Sequence, residues 1–377
     1  MTRLDGTWAR TRRAAVRGML ACLLAVHTAC APEPGAGSGA DATADPDPDR
    51  VYRWKLITTW PKNLPGLGTA PERLAERLRV MSNGRLDIRV YGAGELVGAF
   101  EVFGAVSDGT AEMGHGASYY WRGKIPVAAM FSTVPFGMTA QEMNAWLEYG
   151  GGMALWRELY EPFGVVPMAA GNTGVQMAGW FNKEINGMED VRGLKMRIPG
   201  LGGEVLERVG GEPVSLPGNE VYTSLERGVI DATEWVSPFN DLALGLHNAA
   251  EYYYYPGWHE PGPTTELIVN QQAWESLPED LRVMVETAAS AMNNEMLAEF
   301  TARNAAALQT LVEEHGVKLR RLPDPVLAQL QRAAADVVAE SAQEDELARR
   351  IHESYTSFME DVRDYHEISE QAYINAR

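Results

Sequence analysis

Cysteine is almost missing from this chain of 377 residues: the 2 cysteines stand at positions 22 and 30, close to the N-terminus. No disulfide framework can hold a fold built from the rest of the chain, so its stability must come from a hydrophobic core. Basic residues are scarce as well, with 33 Lys+Arg against 51 Asp+Glu and a formal charge of −18. Such acidity argues against a nucleic-acid binder, which needs a basic surface to attract phosphate. Gly and Pro are not in excess, at 37 and 21, and no repeat recurs, which excludes fibrous, disordered and solenoid architectures. Nor does any apolar run reach the roughly 20 residues of a membrane-spanning helix.

The chain opens on an address. Arg10, Arg12, Arg13 and Arg17 precede the short apolar run Met19-Leu20-Ala21-Cys22-Leu23-Leu24-Ala25-Val26, the pattern of an export signal over residues 1–30. The pair Arg12-Arg13 hints at twin-arginine export, although Ala15 and Val16 stand where larger apolar residues would strengthen that signal. Ala29-Cys30 ends the segment in the manner of a lipoprotein box with Cys30 as the acylated residue; ordinary cleavage near Ala31 is the alternative. Residues 31–50 are rich in Ala, Pro, Gly and Asp without an apolar period and read as a flexible leader.

Beyond the leader, strand and helix alternate, which is the α/β signature. A β-rich opening over 51–58 is followed by Thr69-Ala70-Pro71-Glu72, a helix start with a threonine cap, an early proline and an early acid. Leu74, Leu78 and Met81 keep helical spacing, and Leu86, Ile88 and Val90 then alternate as a strand. Residues 100–107 carry a helical pattern before a short strand near 112–115. The alternation returns after Asn186, with strands at 194–198, 212–216 and from Val229, and helices at 203–209 and 221–227. Two αβ blocks separated near 171–182, with a second crossing near 256–270, predict two lobes with a ligand cleft between them. Lobe I is expected at 51–175 plus about 262–300, and lobe II at 176–261 plus about 300–345. Helix-favouring residues fill 271–315 around a break at Ser276-Leu277-Pro278. Leu347, Ile351, Tyr355, Phe358, Val362 and Tyr365 recur three or four residues apart as one apolar stripe, which marks 346–377 as a terminal helix. That stripe either lies on its own domain, as tertiary burial explains most such helices, or forms a dimer.

Enzyme motifs are not apparent. There is no Gly-x-Ser-x-Gly elbow, no phosphate loop and no HExxH, and Gly200-Leu201-Gly202-Gly203 lacks the dinucleotide-binding spacing. His115 and His259 stand near turns in the lobe-forming regions and read as neutral structural histidines, so no zinc site follows from them. Three segments carry more chemistry: Gly171-Asn172-Thr173-Gly174-Val175-Gln176, Lys195-Met196-Arg197-Ile198-Pro199-Gly200, and Glu226-Arg227-Gly228-Val229-Ile230-Asp231-Ala232-Thr233 with Glu234-Trp235 after it. An arginine at a strand end can hold a carboxylate at two points in one plane, which lysine cannot, so Arg197 would select organic acids; taken alone, it reads rather as a surface ion-pair residue.

Together these segments, with the turn at 92–99 leading into Phe103, resemble the substrate-binding proteins of tripartite ATP-independent periplasmic (TRAP) transporters, the DctP family, over about residues 52–345. Glu234-Trp235, Gln176 and the segment Tyr254-Tyr255-Pro256-Gly257-Trp258-His259-Glu260-Pro261-Gly262 are most similar to the TakP-like branch that binds 2-oxo acids and lactate. The resemblance implies a two-lobed periplasmic binding protein with long C-terminal helices that closes on a small 2-oxo or 2-hydroxy monocarboxylate and delivers it to small and large membrane subunits. It implies that Arg197 holds the substrate carboxylate. It also implies that a bridging Na+ or Ca2+ is bound by the Gln176 side chain, the Glu234 carboxylate and the Trp235 carbonyl, with Glu260 as a further candidate ligand. An all-oxygen shell suits such hard cations. Tyr119, Tyr120, Phe136 and Trp235 are the candidate apolar wall, with Asn172 a further substrate contact. Dimers through a terminal helix occur in this branch. The rivals are another organic acid, such as a dicarboxylate or sugar acid, and an exported metal-dependent enzyme using His259 and Glu260 as acid and base.

Overall fold

The structure, a computed structural model, describes residues 49–377. The export segment, Cys30 and all but the end of the 31–50 leader lie outside the described residues. The chain runs β1 (Tyr52–Thr58), α1 (Thr69–Met81), β2 (Leu86–Tyr91), α2 (Val102–Ser107), β3 (Met113–Gly116), α3 (Ala140–Tyr149), α4 (Gly152–Tyr160) and β4 (Val165–Asn172). It continues through β5 (Gly179–Phe181), α5 (Met188–Val191), β6 (Lys195–Arg197), α6 (Gly200–Arg208), β7 (Glu212–Val214), α7 (Gly218–Glu226), β8 (Ala232–Thr233), α8 (Pro238–Leu244) and β9 (Tyr252–Tyr255). The remaining elements are β10 (Thr264–Asn270), α9 (Gln271–Ser276), α10 (Glu279–Glu313), β11 (Lys318–Arg321), α11 (Asp324–Ser341), α12 (Glu346–Ile368) and α13 (Glu370–Ala376).

Two sheets result, one per lobe. Lobe I carries the order β2-β1-β3-β10-β4, and lobe II the order β11-β9-β5-β8-β6-β7. In lobe I, β1 pairs in parallel with β2 and β3, while β10 returns antiparallel between β3 and β4. The returning strand accounts for the second crossing expected near 256–270. The two crossing segments also hold each other: the Gln176 N–H donates to the Glu260 carbonyl at 3.1 Å, and the Gly257 N–H donates to the Gln176 carbonyl at 3.0 Å.

Several boundaries differ from expectation for local reasons. Thr69 is not the cap of α1, because a tight 64–68 turn delivers the chain with Gly68 in that place, and the Thr69 hydroxyl accepts from Arg73 inside the helix. Residues 99–101 form a 3-10 turn before α2. The strand expected from Val229 starts at Ala232, since the N–H groups of Val229 and Ile230 still close the end of α7 onto the Ser224 carbonyl. Both α6 and α7 begin three residues early, at Gly200 and Gly218.

The core of lobe I is aromatic. Phe131 lies against both Trp146 and Trp156, with ring centroids 5.4 and 5.1 Å away and interplanar angles of 15° and 6°. Such pairs add about 0.5–1.5 kcal/mol each beyond the area they bury. The terminal stripe divides. Ile351 and Tyr355 are buried, Tyr355 packs on Trp146, and its hydroxyl accepts from the Met138 N–H at 2.9 Å. Tyr365, Ile368 and Tyr373 are 62%, 77% and 67% exposed. Most of α12 is thus laid on its own lobe, with Phe358 and Met359 still partly buried against the core, and only its end and α13 leave large apolar side chains uncovered.

A carboxyl sits in the same core. Glu266 on β10 is fully buried, accepting from Trp121 Nε1 and, at 3.0 Å, from the Tyr160 hydroxyl. Burial pushes its pKa up from 4.5 to about 7, with the two donors offsetting part of that cost. The folded protein therefore keeps this proton at pH values where the unfolded chain has released it. Stability from this group is complete below about 4.5 and declines as pH rises to about 7, by a total of about 3 kcal/mol. In thermal melts, the advantage of wild type over Glu266→Gln should shrink from pH 5 to about pH 7 and level off above that. Parallel curves would contradict it.

Candidate functional site

The end of β6 delivers Arg197 into the space between the sheets. Its side chain is buried, and its guanidinium is engaged on several sides: NH1 pairs with Glu234, Nε donates to the Leu216 carbonyl at 3.2 Å, and NH2 donates to the Tyr120 hydroxyl at 3.3 Å. The Trp235 ring faces the guanidinium carbon, 5.1 Å from its centroid. Burial alone would lower the pKa of Arg197, but the adjacent Glu234 carboxylate, with Tyr120 and Tyr119, more than offsets it, and the net direction is upward. Arg197 is therefore a fixed positive charge, not the surface ion-pair residue of the alternative reading.

Two glycines make this approach possible. Gly200, at φ +65, brings α6 against lobe I so closely that a Cβ there would meet the Tyr119 Cβ at 3.2 Å. Gly218 opens α7 against the Trp235 ring, where a Cβ would lie 2.3 Å from the nearest ring carbon. Glycine at the first position satisfies both the backbone conformation and the contact.

Beside Arg197 lies a cluster of three buried groups, Glu234, His259 and Glu260, whose potential ligand atoms all fall within 4.8 Å of one another. Nε2 of His259 is 3.6 Å from the Glu234 carboxylate. Burial, and then the charge of Glu234, raises the pKa of Glu260 well above the usual carboxylate range. Oε2 of Glu260, Oε1 of Gln176 and both ring nitrogens of His259 are buried without a hydrogen-bond partner. Gln176 is oriented by its amide, which donates to the Thr173 hydroxyl at 3.2 Å. Buried polar atoms are nearly always paired, so unpartnered oxygens such as Glu260 Oε2, beside Glu234, are ligand atoms that a cation could take.

Gln176 and Trp235 also line a small cavity with Trp60, Tyr119, Tyr120 and Thr173, to which Ser132 and Thr265 add hydroxyls; Arg197, Glu234, His259 and Glu260 are not among its lining residues. Its volume is about 10 Å³, room for one water molecule. None of its lining residues is basic. The structure thus brings together Arg197, Gln176, Glu234, Trp235, Glu260, Tyr119 and Tyr120. Two expected contacts sit elsewhere. Asn172 spends its amide on the crossing segments, donating to the Gly262 carbonyl at 3.0 Å and to Thr264 Oγ1 at 3.4 Å while its oxygen accepts from the Gly174 N–H at 2.8 Å. Phe136 stacks on Trp258, with centroids 5.8 Å apart, and does not line the cavity.

The two histidines separate in role. His115 accepts from Trp60 Nε1 at 2.8 Å and bonds the Ala170 carbonyl at 3.0 Å, and burial pushes its pKa down to about 4, so it is a neutral structural residue. His259 belongs to the cluster, which its place next to Glu260 could have signalled. Sequence reading also missed Asn240 and Asp241. Asn240 accepts from Trp235 Nε1 at 2.9 Å and donates to the Pro65 carbonyl of lobe I at 2.5 Å. Asp241 accepts from the Val236 N–H, Trp180 Nε1 and the Tyr253 hydroxyl, so the two side chains brace the segment 234–236 from behind. Their only signal was position, at the helix start directly after Glu234-Trp235.

The chain was compared with known proteins. The profile of the bacterial extracellular solute-binding proteins, family 7 (DctP), matches residues 57–345. A monocarboxylate 2-oxoacid-binding periplasmic protein from Nostoc sp. is 43% identical over 86% of this chain and 88% of its own length. Among solved structures, a TRAP periplasmic solute-binding protein from Pseudoalteromonas atlantica, with bound sodium and pyruvate, is 44% identical with a TM-score of 0.84, covering 87% of this chain and 100% of that one. A TRAP transporter solute-binding protein from Bordetella bronchiseptica, a mixed-occupancy dimer with calcium and picolinate in its occupied site, is 36% identical with a TM-score of 0.85, covering 87% of this chain and 97% of that one.

Proposed function

The chain belongs to family 7 of the bacterial extracellular solute-binding proteins, the TRAP-transporter binding proteins, and from that premise we propose that its cleft binds a small 2-oxo or 2-hydroxy monocarboxylate through Arg197 and a cation. The observation that carries this reading is one fixed, buried arginine paired with Glu234, inside a buried cluster that also holds His259 and the unpartnered Oε2 of Glu260. Gln176 Oε1, the Glu234 carboxylate, Glu260 and the Trp235 carbonyl would hold the ion. When bound, it supplies positive charge to the ligand carboxylate and to the oxygen on the ligand's second carbon. Arg197 takes the carboxylate, and the rings of Trp60, Tyr119, Tyr120 and Trp235 limit the length of the rest. Charge balance ties the ion to Glu260: with Glu260 neutral the set suits sodium, and with Glu260 ionised it suits calcium.

A monocarboxylate fits better than a dicarboxylate because the cavity offers no basic residue beyond the neighbouring Arg197. The cavity is too small for the acid in this arrangement, so entry requires the lobes to part and the ligand's contacts to favour their closing again. No bond is made or broken. The acid passes to the small and large membrane subunits. The protein works in the periplasm, exported through residues 1–30 and free or held there by a lipid on Cys30. The lobes divide as 51–175 with about 262–300, and 176–261 with about 300–345. Residues 346–377 supply the exposed Tyr365, Ile368 and Tyr373 of a homodimer contact.

Thermal melting with pyruvate, 2-oxobutyrate, lactate, succinate and gluconate tests the ligand class. An acid at about 100 times its Kd stabilises by about 2.7 kcal/mol. Pyruvate, 2-oxobutyrate and lactate should raise the melting temperature, while the dicarboxylate succinate and the longer sugar acid gluconate do not. The reverse order would refute the monocarboxylate reading.

A further inference from the structure

Release of the acid requires the lobes to separate, and one contact that separation breaks is ionic. Arg122 follows the 118–121 turn of lobe I, and its guanidinium pairs with Glu204 on α6 of lobe II, both side chains being 34% exposed. Glu207 on the same helix and Glu344, just after α11, are close enough to act on the Arg122 charge. One cation of lobe I thus reaches a group of three carboxylates of lobe II. Nε of Arg122 is buried and has no hydrogen-bond partner, so the side chain is held there by the ion pair at its other nitrogens. Lys124, the nearest cation in sequence, is engaged within its own lobe over the Phe103 and Phe163 rings.

The pair lines an outer cleft of about 310 Å³ that both lobes build, with Phe100, Tyr119 and Tyr120 from one and Pro199, Gly200 and Ser215 from the other. Tyr119 and Tyr120 also line the inner cavity, so their rings divide the outer cleft from the ligand site. A third-exposed ion pair at such a mouth is in contact with bulk salt, which weakens it.

We propose that Arg122 and Glu204 form a latch across the cleft mouth that sets how long the bound acid stays. This rests on the binding reading given above. Because the ligand leaves only from the open form, the latch acts on the dissociation rate. Arg122 is acted on by Glu207 and Glu344 besides Glu204, so losing the arginine weakens the latch more than losing the glutamate.

The test is a double-mutant cycle on the full chain, with pyruvate and sodium or calcium as the probe, reading the dissociation rate by stopped flow at low and high salt. At low salt Arg122→Gln should release pyruvate about fivefold faster and Glu204→Gln somewhat less so. The double variant should match Arg122→Gln, and all rates should converge at high salt. Additive effects, or wild-type rates in both single variants, would overturn the latch. X-ray scattering of the ligand-free proteins provides a readout that needs no ligand: at low salt the single variants should have a larger radius of gyration than wild type. If wild type binds no pyruvate, the binding reading fails on its own, and equal radii across the variants would then overturn the latch separately.

Discussion

Arg197→Met should abolish pyruvate binding, with no saturable signal at concentrations a hundredfold above the wild-type Kd. The guanidinium is the buried positive charge that protein atoms alone bring to this site, and no basic residue lines the cavity to replace it. A methionine of similar length keeps the volume but leaves the acid's carboxylate facing Glu234 and Glu260 with no arginine between them. Breaking a buried ion pair from one side costs about 3–5 kcal/mol, so the variant should also melt lower. Arg197→Lys is the discriminating control. It keeps the charge yet loses the planar fork that reaches Glu234, the Leu216 carbonyl and Tyr120 together, and should bind at least tenfold more weakly. Wild-type affinity in either variant, measured by calorimetry, would remove Arg197 from the site.

Glu234→Gln should be nearly as damaging, by a different route. The amide keeps the shape but leaves Arg197 without its counter-charge, again about 3–5 kcal/mol for a pair buried to 2% and 1% exposure. In the proposed site it would also take a carboxylate away from the cation, so the ion would face Arg197 with less negative charge between them. Pyruvate affinity should fall by two orders of magnitude or more, and raising calcium should recover part of the loss, because mass action can refill a weakened ion site. Titrations of calcium against the variant at fixed pyruvate measure this. Affinity unchanged and indifferent to calcium would mean that Glu234 serves only to neutralise Arg197.

The parts of this molecule that were legible in the sequence are those where a local pattern carries the physics. Alternation at Leu86, Ile88 and Val90 placed β2, and the stripe at Leu347, Ile351 and Tyr355 placed α12 on its lobe. The Arg197 and Glu234-Trp235 segments stood out through the family resemblance, and the fold pairs Arg197 with Glu234 in a buried contact. What was not legible depends on partners far along the chain. Asn172 looked like a ligand contact, yet its amide is taken up by Gly262 and Thr264, ninety or more positions away. His259 read like His115 as a structural histidine despite its place beside Glu260, and the fold separates them: His115 is paired at both ring nitrogens, whereas neither nitrogen of His259 has a hydrogen-bond partner. Asn240, which ties Trp235 to Pro65, sits in an ordinary helix start. The resemblance of the three segments to a known family reached the fold and the family, whereas the bracing residues depend on contacts that only the folded chain shows.

The central claim is that a cation and Arg197 together hold a small monocarboxylate. Calorimetric titration of pyruvate into dialysed protein tests it most directly, run in buffer free of sodium and calcium with chelator, then with sodium, then with calcium. One-site binding that appears only when one of these ions is restored is the predicted result. Equal binding in all three buffers, or none in any, would contradict it.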